Sequence, residues 1–62
     1  MNNLERVLRY LQSNNNQHFT INELVGNLKL TNSTVTDALR TLIQQNKVKT
    51  FSHLDKQYFK IK

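Results

Sequence analysis

This chain contains no cysteine and no proline. Without cysteine, disulfides and thiolate metal sites are excluded. The two histidines, His18 and His53, stand far apart with no partner pattern for a structural zinc. Neither a metal nor a cofactor is expected. Apolar runs never exceed two residues, so nothing is long enough to span a bilayer, and no apolar signal-peptide segment follows Met1. The expected location is the cytoplasm. Acidic residues are scarce: there are four, and none forms a pair at a spacing suited to general acid and base work. Ser-His-Asp or Cys-His logic and phosphate loops are missing as well. A chain of 62 residues also leaves little room for a substrate pocket of the usual volume. Catalysis is not expected.

What the chain does have is charge of one sign. Nine basic residues against four acidic ones give a formal net charge of +5. On so small a surface this favours polyanionic partners, nucleic acid first among them. Lys47, Lys49, Lys56, Lys60 and Lys62 gather at the carboxy-terminal end. The length predicts one domain, residues 1–62, near the lower limit for folding on hydrophobic burial alone. Its core must be efficient or be completed by a second copy of the chain.

Periodicity and capping signals divide the chain. Leu4, Val7, Leu8 and Leu11 follow the i, i+3, i+4, i+7 spacing of an amphipathic helix, with Asn2 as its cap and Glu5 at the third helical position. The polar run Asn14–Gln17 ends it as a loop, and Phe19 follows in a short extended link, pointing inward. Thr20-x-x-Glu23 is a capping box opening a second helix, whose buried stripe is Leu24, Val25 and Leu28. After a tight turn at Leu28–Thr31, Thr31 caps a third helix over 32–45, with Val35, Ala38, Leu39, Leu42 and Ile43 inward. Asn46 falls where a helix ends with a residue of positive φ. Two β-prone segments follow, Lys47–Phe51 and Gln57–Ile61, separated by the five residues Ser52–Lys56. Alternation puts Val48, Thr50, Phe59 and Ile61 on the core side, and pairs Phe51 with Tyr58 on the other.

Helix, helix, turn, helix, hairpin is an α+β arrangement. The run from Leu28 to Leu42, followed by Asn46-Lys-Val48, resembles the turn, recognition helix and first wing residues of winged helix-turn-helix transcription regulators. The likeness is one of spacing more than of identities. It implies three packed helices with a carboxy-terminal β-hairpin wing, the third helix being offered to the major groove of double-stranded DNA. By that likeness Thr31 is the polar cap that touches a backbone phosphate. Asn32, Ser33, Thr36, Asp37 and Arg40 take the outward positions that meet base edges and phosphates. Ser52, His53 and Lys56 take the wing tip, which reaches the minor groove or backbone. The physical chemistry agrees, because a helix amino terminus favours phosphate and Asn or Arg can read base edges bidentately.

Three positions depart from the family pattern. Lys29 stands where glycine is frequent in the turn, so the backbone there is expected to be either mildly strained or differently shaped. Asp37 places a carboxylate where phosphates approach, unless it accepts from a cytosine or is neutralised by Arg40. Arg40 is the third helix's one basic residue. In Z-DNA-binding winged helices an Asn and a Tyr carry recognition. Here Thr36 and Arg40 stand at those positions and the wing prolines are absent, which argues against that subclass.

Two functions fit this pattern. The favoured one is a sequence-specific DNA-binding regulator of a bacterium, plasmid or virus. It would double its half-site as a homodimer or assist another DNA-bound protein, with either Arg6, Arg9 and Tyr10 of the first helix or the hairpin's aromatic face as the interface. The alternative is a winged-helix protein–protein docking module that reads no bases, which Asp37 and the sparse third helix favour.

Overall fold

A computed structural model of the protein describes residues 2–62. The elements run α1 (Asn3–Ser13), α2 (Ile21–Leu28), α3 (Asn32–Gln44), β1 (Val48–His53) and β2 (Lys56–Ile61). Each helix begins on the cap its sequence predicts. The Asn2 side chain accepts from the Glu5 amide, and Thr31 accepts from the Thr34 amide. At α2 the box closes both ways: Glu23 N–H donates to Thr20 Oγ1 at 3.2 Å, and Thr20 N–H donates to Glu23 Oε1 at 2.9 Å. Two otherwise orphaned amides are satisfied by this exchange.

The carboxy-terminal ends of α2 and α3 use left-handed residues. Asn46 has φ 61, with Asn46 N–H donating to Ile43 O and Lys47 N–H to Leu42 O, the two bonds of a Schellman motif. Lys29 has φ 56, and Leu30 N–H donates to Val25 O at 3.2 Å. Lysine in this conformation crowds its Cβ against its own carbonyl, the strain expected where glycine is the usual residue.

Val7, Leu11, Phe19, Leu24, Val35, Ala38, Leu39, Leu42, Val48 and Phe59 form one buried cluster, drawn from all three helices, both strands and the link before α2. The link is fastened to the hairpin: Phe19 and Phe59 exchange both backbone hydrogen bonds, at 2.9 and 2.7 Å. The inward Phe19 thus adds a one-residue third strand beside β2, leaving β1 as the free edge.

Three sequence expectations change. The strands are longer, meeting at a two-residue turn, Leu54-Asp55, because the register Ser52↔Gln57 and His53↔Lys56 continues the ladder to the tip. Thr50 shares a face with Val48 but is exposed, since that part of the hairpin overhangs the helices. Its hydroxyl donates to Tyr58 O at 2.9 Å and accepts from Gln57 Nε2 at 3.0 Å. On α1, Arg6 donates to Leu28 O at 2.8 Å, and Tyr10 accepts from Asn27 at its hydroxyl and packs on Phe19 at 5.2 Å. Two of the three residues offered for a subunit interface therefore tie α1 to α2 and the link within the protomer.

Gly26 lies inside α2, and a Cβ built there meets nothing within 4 Å. Gly26→Ala should therefore raise stability by about 0.8–1 kcal/mol by restricting the unfolded chain, lifting the thermal midpoint by roughly 4–8 °C. A midpoint no higher than the parent's would show that residue 26 lies outside a stable helix.

Candidate nucleic-acid interface

A helix turns 100° per residue, so the buried positions Val35, Ala38, Leu39 and Leu42 fix where every other α3 side chain points. Ser33, Asp37, Arg40 and Gln44 lie on the exposed side. Asn32, Thr36 and Arg40 advance about 40° at each step of four residues, starting beside the apolar stripe and ending near the face opposite it. They climb along the flank that faces β2. Thr36 is half-buried, and with Arg40 it lines a cleft against Ile21, Gln57 and Phe59. Asn32 Oδ1 accepts from Thr36 Oγ1 at 3.3 Å. Of the positions expected to face outward, Thr36 is thus half-buried on the flank, while Asn32, Ser33, Asp37 and Arg40 are exposed.

Asp37 occupies the other flank, where it lines a shallow depression with Asn3, Leu4, Thr34 and Thr41. The carboxylate and the Arg40 guanidinium thus border clefts on different sides of α3. Thr31 sits at the amino end of the helix, but its hydroxyl proton goes to Thr34 Oγ1 at 2.8 Å while its oxygen accepts from the Thr34 amide. A phosphate at this end would be met by the free backbone amides of the first turn more than by the Thr31 hydroxyl.

On the hairpin, Ser52, His53 and Lys56 are strand residues immediately flanking the turn. Ser52 lies on the side of Thr50 and Gln57, whereas His53 and Lys56 lie on the opposite side, with Lys49, Phe51, Tyr58 and Lys60. The turn itself carries Leu54, at φ 51 and 83% exposed, and Asp55, at φ 65. Two successive left-handed residues make this a type I′ turn, a conformation that favours Asn-Gly and strains leucine. The outermost residues of the wing are thus apolar and acidic, with the basic residues set behind them.

An open cleft of about 780 Å³ runs between the starts of α2 and α3 and strand β2, lined by His18, Thr20, Asn22, Glu23, Asn32, Lys56, Gln57 and Tyr58 among others. It joins Asn32 of the helix to Lys56 of the hairpin. It also brings in His18, Gln57 and Tyr58, which the sequence reading leaves out of the site. Once Phe19 pairs with Phe59, alternation turns the preceding side chain outward. The His18 ring stands 4.8 Å from Tyr58 and 5.5 Å from Phe51, edge-on to both, while Phe51 and Tyr58 stack at 5.7 Å. The expected Phe51–Tyr58 pair is therefore present, with a third ring against it. No group of three or more His, Cys, Asp or Glu residues able to hold a metal occurs among the described residues. No helix among them is long and apolar enough to cross a membrane.

No protein-family model matches the chain, and no curated protein matches it significantly. Solved structures do. A HOP2 chain, from a structure of that protein's DNA recognition and protein interaction domains, superposes with a TM-score of 0.87 at 26% identity, covering 98% of this chain and all of that one. The transcriptional regulator HlyU of Vibrio vulnificus CMCP6 superposes with a TM-score of 0.81 at 29% identity over 94% of this chain. The adhesin competence repressor AdcR of Streptococcus pyogenes does so at 0.83 and 23% identity over the whole chain, a likeness of fold alone. This chain spans 60% of the HlyU chain and 46% of the AdcR chain. With three helices, a two-stranded antiparallel hairpin and these likenesses, the chain belongs by fold to the winged helix-turn-helix superfamily.

Proposed function

We propose that this chain is a non-catalytic, DNA-binding transcription regulator that sets α3 in the major groove and lays its hairpin on the adjacent backbone or minor groove. The observation that carries this reading is that Asn32, Thr36 and Arg40 climb the flank of α3 facing β2, so that helix and hairpin border two neighbouring clefts, one at Asn32 and Lys56 and one at Thr36 and Arg40, which meet at Ile21 and Gln57. DNA recognition in the HOP2 domain and transcriptional regulation by HlyU support it. Arg40 is the base reader, suited to the O6 and N7 of a guanine, with Asn32 suited to an adenine. Ser33 and the first-turn amides of α3, capped by Thr31, hold a phosphate. Lys56, with His53 and Ser52, meets the backbone beside the turn. One helix and one hairpin read a single half-site, so a homodimer or another DNA-bound protein supplies the second. Such a regulator works in the cytoplasm.

A phosphate contact has a direct signature. Lys56→Ala should weaken binding to all duplex sequences alike and reduce the slope of log affinity against log salt by roughly one unit. An unchanged slope would take Lys56, and with it the hairpin, out of the interface. The second reading, a protein-docking module, is favoured by Asp37 on the flank away from the cleft and by the single basic residue of α3.

A further inference from the structure

The outer face of the hairpin carries three cross-strand rows. In register from the helix-packed end to the tip they are Lys49↔Lys60, Phe51↔Tyr58 and His53↔Lys56. An aromatic row lies between two cationic ones, each about 7 Å from the next along the strand. The core rings Phe19 and Phe59 are each 5% exposed, but Phe51 is 39% exposed. Lysines placed directly opposite one another are destabilising, so the Lys49↔Lys60 row works against the hairpin unless an anion lies across it. His18 leans on both rings from the neighbouring link and fixes their positions. Of the acidic residues, only Glu23 and Asp55 border this surface. The Glu23 carboxylate already accepts from the Thr20 amide, and Asp55 sits at the turn.

We propose that this face is a second nucleic-acid site, adjoining the α3 cleft along Tyr58 and centred on the outer rows of the hairpin, that holds single-stranded DNA. Unpaired bases stack on the Phe51–Tyr58 pair while Lys49 and Lys60 take the phosphates beside it. The charge complementarity selects a polyanion. The exposed Phe51 ring, stacked on the half-buried Tyr58, selects one whose bases are free to stack, which a duplex does not offer. Stacking of this kind is sequence-tolerant, because every base has a π-face. The site thus binds DNA without reading it.

The test uses the full chain and a labelled oligothymidylate of about 15 nucleotides, followed by fluorescence anisotropy. Phe51→Ala and Tyr58→Ala should each weaken binding at least about fivefold, the smaller end of the loss seen on removing one stacking ring. The Lys49→Ala, Lys60→Ala double variant should lower the salt slope by about 1.4 units, as expected for two contacts on a single strand. The chain has no tryptophan. Phe51→Trp therefore adds a unique reporter, which should keep the affinity and lose emission when the oligonucleotide binds. It decides the matter alone if the alanine variants do not fold. Arg40→Ala should bind the oligonucleotide as the parent does, so loss of duplex recognition and loss of this site are told apart. The proposal is overturned if Phe51→Trp emission is unmoved at saturating oligonucleotide. It is equally overturned if Phe51→Ala binds like the parent, or if these variants lose duplex or an acidic protein partner and not the single strand.

Discussion

Leu39→Ala should remove most of the stability of this domain. Leu39 is 2% exposed and packs at the centre of the cluster shared by all three helices and the hairpin. Truncating a buried leucine forfeits its transfer free energy and leaves a cavity, together costing about 2–5 kcal/mol. A core of this size rarely supplies more than about 3–5 kcal/mol in total. With no disulfide to limit the unfolded chain, little would remain. In urea or thermal melts followed by circular dichroism, the variant should show a transition near or below ambient conditions, or none. A melt superimposable on the parent's would mean that Leu39 is not in the core and that the faces of α3 are assigned wrongly.

Arg40→Ala should leave that melt intact while changing what the protein distinguishes. The side chain is exposed and lines the cleft with Thr36 and Gln57, so its removal opens no cavity. If it makes a bidentate contact to guanine, its loss costs about 1–3 kcal/mol of discrimination between cognate and unrelated duplexes. Asp37→Asn is its companion on the opposite flank. A carboxylate that only repels phosphate should, once neutralised, strengthen binding to every sequence; one that accepts from a cytosine should relax specificity at a single position. Should neither substitution alter DNA binding while either disrupts retention of a cellular protein partner, the docking reading replaces the DNA one.

The parts of the fold legible in the sequence are those whose causes are local. Asn2, Thr20 with Glu23, Thr31 and Asn46 each act within about four residues, so their chemistry can be read before any tertiary contact is known. The helix faces follow equally well, because Val7, Leu11, Leu24, Val35, Leu39 and Leu42 repeat at helical spacing and all are buried. Lys29 likewise adopts the left-handed conformation expected where glycine is usual.

The features that escaped the sequence depend on partners distant along the chain. Leu54-Asp55 lacks the Asn-Gly signature of a type I′ turn, yet the Phe51↔Tyr58 and Ser52↔Gln57 pairs carry the ladder to it and impose positive φ on both residues. Thr50 obeys the alternation of its strand but extends past the helices that would have covered it. His18 gains its place from the Phe19–Phe59 bridge, which joins residues forty positions apart. The Asn32–Thr36–Arg40 series is a matter of arithmetic: it starts on the flank beside the buried stripe and drifts outward by about 40° at each step of four residues, so its first members border clefts against β2.

DNA reading by α3 and the hairpin is tested most directly by a mobility shift of the purified protein at two salt concentrations. The probes are the DNA upstream of its own coding sequence and an unrelated duplex of equal length. Phosphate contacts predict that both complexes weaken as salt rises. Base reading predicts that the upstream fragment stays bound at a salt concentration that releases the unrelated one. Equal release of the two fragments would contradict base reading by α3, and no shift of either duplex at low salt would contradict DNA binding by this surface altogether.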